Sequence, residues 1–205
     1  MSEYNKTVSK LYDPLLHFAV IRLRKKIVEV SKELKADKII DLCCGTGNQL
    51  KQFKKQGFSN VIGVDLSETM IAESSKGKYK TKCLLEDATN TSLEESSFDI
   101  VTITLALHEK TFDVISGILL EAKRLLKPTG HLLIADYCFD EKTFSIGRFG
   151  TKAVEKFAGG EHYRNFKNYI SKGGLNFIMN DKKYISEHPF IFKSVRLRTF
   201  PYQEL

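Results

Sequence analysis

Residues 38–48, KIIDLCCGTGN, decide the expected fold of this chain. The apolar pair at 39–40 and the acid after it are typical of the end of a short buried strand. The glycines of residues 45–47 predict a tight turn before a helix. Glycine is needed where the backbone takes a positive φ, or where a ligand approaches with no Cβ in the way. Because such a loop can also be an ordinary turn, its meaning depends on the next stretch of the chain.

A second predicted strand, residues 60–65, ends in Asp65, which lies 18 residues after Gly47. An acid at about that distance, at the tip of the second strand, holds the ribose hydroxyls in nucleotide-type α/β sites. The spacing therefore favours a nucleotide-type ligand over a plain turn. A nicotinamide-type loop would need a third glycine where Leu50 stands, which disfavours that cofactor.

The motifs DLCCGTG (41–47) and GVDLS (63–67) resemble motif I and its companion in class I S-adenosylmethionine-dependent methyltransferases. The common form of the loop has glycine where this chain has Cys43, and the Cys-Cys variant resembles one of quinone-type methyltransferases. The resemblance implies an α/β fold with a Rossmann-like, doubly wound sheet. It implies seven strands in the order 3-2-1-4-5-7-6, with the last antiparallel, helices on both faces and an N-terminal helical cap.

The resemblance also implies S-adenosylmethionine as the cofactor. Asp41 would orient the loop or hold the methionine amino group, and Asp65 would bind the ribose. Asp87 would accept a hydrogen bond from the adenine, or would only cap a turn. The cofactor contacts expected from the whole resemblance come from Tyr12, Asp41, Cys43, Gly45, Thr46, Gly47, Asp65, Leu66, Met70, Asp87, Ala88 and Leu105. Tyr12 could instead only anchor the first helix.

The acceptor side is expected at the carboxyl end of the fourth strand. His108, in the segment LALHE, is the first candidate for a polar residue beside the transferred methyl group, although a lone histidine is as often structural. Tyr137, after the fifth strand, could line the pocket or only pack. His162 and Tyr163 lie in an aromatic and basic cluster later in the chain. A histidine suits proton transfer near neutral pH.

The remaining pattern predicts one domain, 1–205, made of a helical cap (1–36), a cofactor-binding core (37–140) and substrate-side helices with the last strands (141–205). Helices are predicted at 11–34, 46–56, 67–75 and 111–127, and one or two between 144 and 169. Strands are predicted at 38–42, 60–65, 80–86, 97–107, 130–137, 182–189 and 191–200.

The net charge of +7 is divided unevenly, with +4 in residues 1–36, −3 in 37–140 and +6 in 141–205. The positive charges at the two ends of the chain could simply be solvated surface. Alternatively, they could favour an anionic substrate or make weak contact with an anionic membrane surface. No apolar run approaches the ~20 residues of a membrane span, and no signal peptide is visible, so a cytoplasmic protein is expected. The cysteines lack zinc-ligand spacing, so no metal is expected.

The function expected from these observations is methyl transfer to a small-molecule acceptor that is anionic, lipid-like or quinone-like. The segment LALHEK (105–110) departs from the Gly-x-Arg-Asn usual in the quinone group. Nucleic acid is an unlikely partner, although a pI of about 9.1 leaves an RNA methyltransferase open. A catalytically silent S-adenosylmethionine-binding scaffold is the other alternative, and the protein is expected to be a monomer or homodimer.

Overall fold

The computed structural model of the protein describes residues 14–205. Its helices are α1 (Pro14–Glu33), α2 (Asn48–Lys55), α3 (Glu68–Ser74), α4 (Phe112–Leu125), α5 (Ser145–Ala158), α6 (Gly160–Ser171) and α7 (Leu175–Ile178). Its strands are β1 (Ile39–Leu42), β2 (Val61–Asp65), β3 (Lys82–Leu85), β4 (Phe98–Thr104), β5 (Leu126–Tyr137), β6 (Ser186–Phe190) and β7 (Val195–Pro201). A single 3₁₀ turn, Leu107–Glu109, lies between β4 and α4.

The strands form one seven-stranded sheet in the order β3-β2-β1-β4-β5-β7-β6, which confirms the predicted order. The first five strands run parallel, whereas β7 is antiparallel to both β5 and β6. Ile39 of β1 is in register with Val61 of β2 on one side and Ile100 of β4 on the other. Because parallel strands end at the same edge, this sheet brings the residues that come after β1, β2, β4 and β5 together.

The core lies on both faces of the central strands. Every residue of β1 is buried, and the apolar residues of β4 are buried as well, as expected for strands covered by helices on both sides. Helix α1 contributes Leu23, Ile27 and Val28 to this core. The predicted N-terminal helix is therefore present from Pro14 onward and packs on the domain. Tyr12 lies outside the described residues.

Strand β4 ends earlier than predicted. Residues 105–107 were expected to continue it, but Leu105 has a φ of 53° and the 3₁₀ turn begins at Leu107. The reason lies on the neighbouring strand, where the carboxylate of Asp136 accepts hydrogen bonds from the N–H groups of Ala106 and Leu107, at 3.2 and 2.8 Å. These N–H groups are thereby removed from a strand ladder, and His108 is turned toward β5.

Strand β7 is buried on both faces, and two arginines lie inside the protein. Arg196 donates two hydrogen bonds to Asp140, at 3.0 and 3.2 Å. Arg198 donates to Glu187 at 2.7 Å. Two positive charges of the basic C-terminal part are therefore paired internally and do not reach the surface. Among the described residues, no helix combines the length and the apolar character needed to cross a bilayer.

Candidate functional site

The glycine loop between β1 and α2 has a left-handed backbone at three positions. Cys43, Gly45 and Gly47 have φ values of 57°, 53° and 67°. The positive φ of Cys43 explains why the common form of this loop has glycine at that position, because L-residues with a side chain rarely take this conformation. A Cβ on Gly45 would meet no atom within 4 Å, so this part of the loop faces open space. A Cβ on Gly47 would lie 2.8 Å from the Thr81 hydroxyl, so packing alone already requires glycine there.

Asp65 holds the loop in this conformation. Its carboxylate accepts a hydrogen bond from the Gly45 N–H at 2.7 Å and another from the Ser67 N–H at 2.9 Å. The predicted ribose-binding acid therefore lies directly against the glycine loop. An ionised carboxylate offers about four acceptor positions, so Asp65 could receive ribose hydroxyls in addition to these two N–H groups. Its ribose role stays a prediction.

Asp41 is the most deeply buried acid of the predicted cofactor site, with 2% of its surface exposed. The Thr102 hydroxyl of β4 donates a hydrogen bond to it at 2.6 Å. Burial disfavours the charged form and raises the pKa of Asp41 to about 7, although the Thr102 hydrogen bond and the charge of Arg24 act in the opposite direction. Asp41 thus links β1 to β4 beneath the loop, and cationic groups nearby would favour its ionised form.

The other predicted cofactor residues are spread along the same edge of the sheet. One carboxylate oxygen of Asp87 accepts hydrogen bonds from the Thr89 N–H and hydroxyl, both at 2.8 Å, so Asp87 does cap a turn. Ala88 beside it is buried, whereas Leu66 is 68% exposed. Met70 is half-buried in α3. The adenine contacts of these residues stay predictions.

His108 is fixed by Asp136, which is not among the predicted site residues. The Nδ1 atom of His108 lies 2.8 Å from Asp136 Oδ1, while the other carboxylate oxygen caps the turn that carries the histidine. Burial favours the neutral ring, but the charge and hydrogen bond of Asp136 outweigh it, and the pKa of His108 rises to about 9. In this state both ring nitrogens carry protons at neutral pH, so the ring can donate hydrogen bonds.

Helices α5 and α6 close this side of the site. Glu155 of α5 lies 2.5 Å from His162 Nε2, and its other oxygen accepts a hydrogen bond from the Tyr137 hydroxyl at 2.7 Å. Burial opposes ionisation of Glu155, but the hydrogen bond of His162 and the charge of His108 lower its pKa. Helix α6 is attached to the turn because Asn165 donates to the Glu109 carbonyl at 2.8 Å.

Three of the four predicted acceptor-side residues are therefore brought together. The ring of His108 lies edge-on to those of Tyr137 and His162, with centroids 4.6 and 5.7 Å apart. Tyr163 instead stacks on Phe166 and lies beneath the Lys167 ammonium group. Their catalytic roles stay predictions.

Asp136 and Glu155 were missed for different reasons. Asp136 precedes Tyr137 at the end of a strand, so its position could have been used as a signal. Glu155 lies in an amphipathic helix, where an acid usually faces water, and no local signal distinguishes it.

Two observations show that the loop side fits an adenosyl cofactor. Open space over Gly45 would admit a ligand against the backbone, and Asp65 presents acceptors beside it. The loop also lies on the same side of the sheet as the acceptor side, because β1 and β4 are neighbouring parallel strands and the loop and the His108 turn follow their carboxyl ends. The buried hydroxyl of Thr104, at the end of β4, lacks a hydrogen-bond partner within residues 14–205. A buried hydroxyl group usually has a hydrogen-bond partner, and a bound ligand could provide that partner for Thr104.

Residues 40–134 match the family described as a methyltransferase domain. With the fold described above and the demethylmenaquinone methyltransferases among its curated relatives, this match confirms that the chain resembles the class I S-adenosylmethionine-dependent methyltransferases, near the quinone group.

Two curated relatives are demethylmenaquinone methyltransferases. The protein from Thermotoga maritima is 28% identical over 182 residues, which cover 84% of this chain and 77% of the relative. The protein from Lactobacillus johnsonii is 30% identical over 172 residues, which cover 80% of this chain and 64% of the relative, just under two thirds of its length.

Solved structures share the fold at low sequence identity. The PH0226 protein from Pyrococcus horikoshii has a TM-score of 0.61 and 19% identity, with 88% of this chain and 90% of that chain covered. The plantazolicin methyltransferase BpumL, in complex with SAH, has a TM-score of 0.64 and 16% identity, with 96% and 89% covered. At these identities the likeness concerns the fold.

Proposed function

We propose that this protein transfers a methyl group from S-adenosylmethionine to a small, quinone-like acceptor bound beside His108. The observation that carries the proposal is that an open glycine loop, braced by Asp65, and a buried histidine–carboxylate pair follow the carboxyl ends of two neighbouring parallel strands, β1 and β4. S-adenosylmethionine would supply a methyl group that its sulfonium charge already activates. The names of the curated relatives favour a quinone-like acceptor.

The chain's own residues would bind and align the reactants. Gly45 would leave room for the cofactor, and Asp65 would hold the ribose. His108, whose ring is oriented by Asp136, would hydrogen-bond the acceptor and keep it in line with the methyl group. Well-oriented reactants can gain roughly 7–11 kcal/mol over free ones, so alignment is a large part of the expected catalysis.

We propose a class of acceptor and not one compound, because the segment that carries His108 differs from the Gly-x-Arg-Asn sequence usual in quinone-type methyltransferases. Residues 105–110 form a turn closed by Asp136 and covered by α6. Around His108 lie the rings of Tyr137, Phe166 and Tyr169, which suit a flat apolar molecule that carries a polar group. A quinol, with a ring and ionisable hydroxyl groups, has this chemistry.

The test combines cofactor titration with transfer of a labelled methyl group. Micromolar calorimetric binding of S-adenosylmethionine and S-adenosylhomocysteine, with no binding of NAD, is the expected first result. Label should then pass to reduced naphthoquinones or benzoquinones in preference to RNA. A folded sample that binds no adenosyl ligand would refute the proposal. Binding without transfer to any acceptor would favour the scaffold alternative, and label only on RNA would favour the RNA methyltransferase.

The role of His108 is tested by its replacement with glutamine. His108→Gln should leave cofactor affinity within a few-fold of wild type and reduce turnover by roughly a hundredfold, a usual loss for a residue that assists proton transfer or orientation. His131→Gln is the matched control, because His131 lies toward the amino end of β5 and pairs with Pro201. Equal turnover in the two variants would reduce His108 to a packing role.

A further inference from the structure

Three side chains from different parts of the chain converge between the β4 end and the two covering helices. They are His108, Glu155 and His162, and one nitrogen or oxygen atom of each lies within 4.8 Å of the others. We infer that this cluster is a binding site for a divalent transition-metal ion, with Zn²⁺ as the first choice. No metal was expected from the sequence because its cysteines lack zinc-ligand spacing, and these three residues show no ligand spacing along the chain either.

The donor set matches that of open zinc sites. Two imidazoles and one carboxylate are a common three-ligand set, in which the fourth position is left to water or substrate. At metal–ligand distances of about 2.0–2.1 Å, tetrahedral ligand atoms lie about 3.3 Å apart. Here Glu155 Oε2 lies 3.7 Å from His108 Nε2 and 2.5 Å from His162 Nε2. These two distances differ from that value by about 0.4 and 0.8 Å, and the two histidine nitrogen atoms lie within 4.8 Å of each other.

The neighbours of the three residues already orient the ligand atoms. Asp136 occupies Nδ1 of His108, which leaves Nε2 directed into the cluster. The Tyr137 hydroxyl occupies Oε1 of Glu155, which leaves Oε2 for the ion. Carboxylate partners on ligating histidines, and hydrogen-bonded ligating carboxylates, are typical of metal sites, where they fix the tautomer and the direction of each ligand.

The charge of the cluster also favours a cation. Besides Asp136 and Glu155, Glu109 Oε1 lies 3.9 Å from His108 Nε2 and 3.8 Å from His162 Nδ1. The side chains of His108 and Glu155 are only 4% and 6% exposed, and that of His162 is 16% exposed. Protonated imidazoles can compensate these carboxylates, and a divalent ion that displaced the ring protons at the ligating nitrogens would supply two charges at one point in their place.

A bound ion would keep one coordination position for an oxygen of water or of the acceptor. Both nitrogens of His108 would then be engaged, by Asp136 and by the ion, so in the metal-bound protein the ion would contact the acceptor in place of the ring. This use of the site rests on the proposed function, whereas metal binding itself does not. The two ideas are separable in experiment. Cofactor titration of the metal-free protein tests the methyltransferase, and metal titration without cofactor tests the cluster.

The metal test uses the full chain without a histidine tag, stripped with EDTA and titrated with Co²⁺ and then Zn²⁺. We expect one Co²⁺ per chain with the visible absorption bands of tetrahedral cobalt, displaced by Zn²⁺. Zinc at about a hundred times its Kd should raise Tm by roughly 5–10 °C. His162→Gln and Glu155→Gln should weaken binding more than tenfold. His188→Gln, on β6, is the matched control and should bind as wild type.

Absence of Co²⁺ binding by the folded wild-type protein would overturn the inference. Equal binding by His162→Gln, wild type and the control would also overturn it, because the ion would then lie elsewhere. His162 is partly exposed, so its variant should fold even if Glu155→Gln does not, and circular dichroism verifies this. Metal binding that is lost only in the cluster variants supports the site, whatever the outcome of the cofactor titration.

Discussion

The buried carboxyl group of Asp41 should make the protein less stable as the pH rises. Its pKa is raised from 3.8 to about 7, because burial disfavours the charged form more than Thr102 and Arg24 favour it. Between these two pKa values the unfolded chain is ionised at Asp41 while the folded protein keeps the proton. Folding then binds protons, and the free energy of unfolding decreases with pH.

The size of the effect follows from the difference between the two pKa values of Asp41, 3.8 in the unfolded chain and about 7 in the folded protein. One unit corresponds to about 1.36 kcal/mol, so the full penalty above pH 7 is roughly 4 kcal/mol. At pH 5 only about 1.7 kcal/mol of it is present, which leaves a loss of about 2.5 kcal/mol between pH 5 and pH 8. For a domain stable by about 5–15 kcal/mol, a change of this size is readily measured.

The assay is urea denaturation of wild type and Asp41→Asn at pH 5 and pH 8. Asparagine keeps the size of the side chain and can still accept the Thr102 hydrogen bond, but it does not ionise. Wild type should therefore lose about 2.5 kcal/mol more than the variant between the two pH values. Subtracting the variant's change removes the contribution of the other titrating groups.

Asp99 provides a control of the opposite kind. Burial raises its pKa, but hydrogen bonds from Lys127 and from the backbone of Lys38 and Asp37 outweigh this, and its pKa is lowered. The stabilising contribution of Asp99 is present above its unfolded pKa and is lost only in more acidic solution. Asp99→Asn should therefore show the same change in the free energy of unfolding between pH 5 and pH 8 as wild type.

An equal change in the free energy of unfolding in wild type and Asp41→Asn would refute the reasoning, because Asp41 would then titrate near its usual range.

Two further predictions concern the cofactor loop and helix α5. Asp65→Ala should weaken S-adenosylmethionine binding more than tenfold in calorimetry, because the ribose and the Gly45 N–H both lose a charged acceptor; an unchanged Kd would exclude the ribose role. Gly147→Ala should lower the free energy of unfolding by about 1–3 kcal/mol, because its Cβ would lie 2.9 Å from the Phe192 carbonyl oxygen. Gly150→Ala, on the same helix with open space, should raise it by about 0.5–1 kcal/mol. Equal urea midpoints for both alanine variants would contradict this packing argument.

The strand, the glycine loop and the position of Asp65 could be predicted because their signals are local. The strand, the glycines and Asp65 come one after another within 27 residues, and a strand end with its turn needs only neighbours in sequence to be recognised. The structure adds the reason for each position, such as the left-handed φ of Cys43. The order of the strands came from the resemblance, and the hydrogen-bonded sheet confirms it.

The end of β4 shows where local reasoning is insufficient. Residues 105–107 are apolar, as a buried strand would be, so the sequence predicted that the strand continues. Asp136, about thirty residues later, takes two of the N–H groups and forces a turn. A hydrogen-bond acceptor on the next strand cannot be seen from propensity, and here it decides where His108 lies.

By itself, the sequence determined most helices and strands and the loop at which a nucleotide-type cofactor would bind, while its resemblance to a known family supplied the class of fold and the order of the strands. The local features depend on periodicity, glycine positions and spacing, which act over short stretches of chain. Only the tertiary structure decided that His108, Glu155 and His162 share one buried cluster, because their meeting depends on how α5 and α6 pack over the ends of β4 and β5. The local sequence pattern does not indicate which distant helices and strands pack together. It therefore does not indicate which charged side chains are buried close to one another.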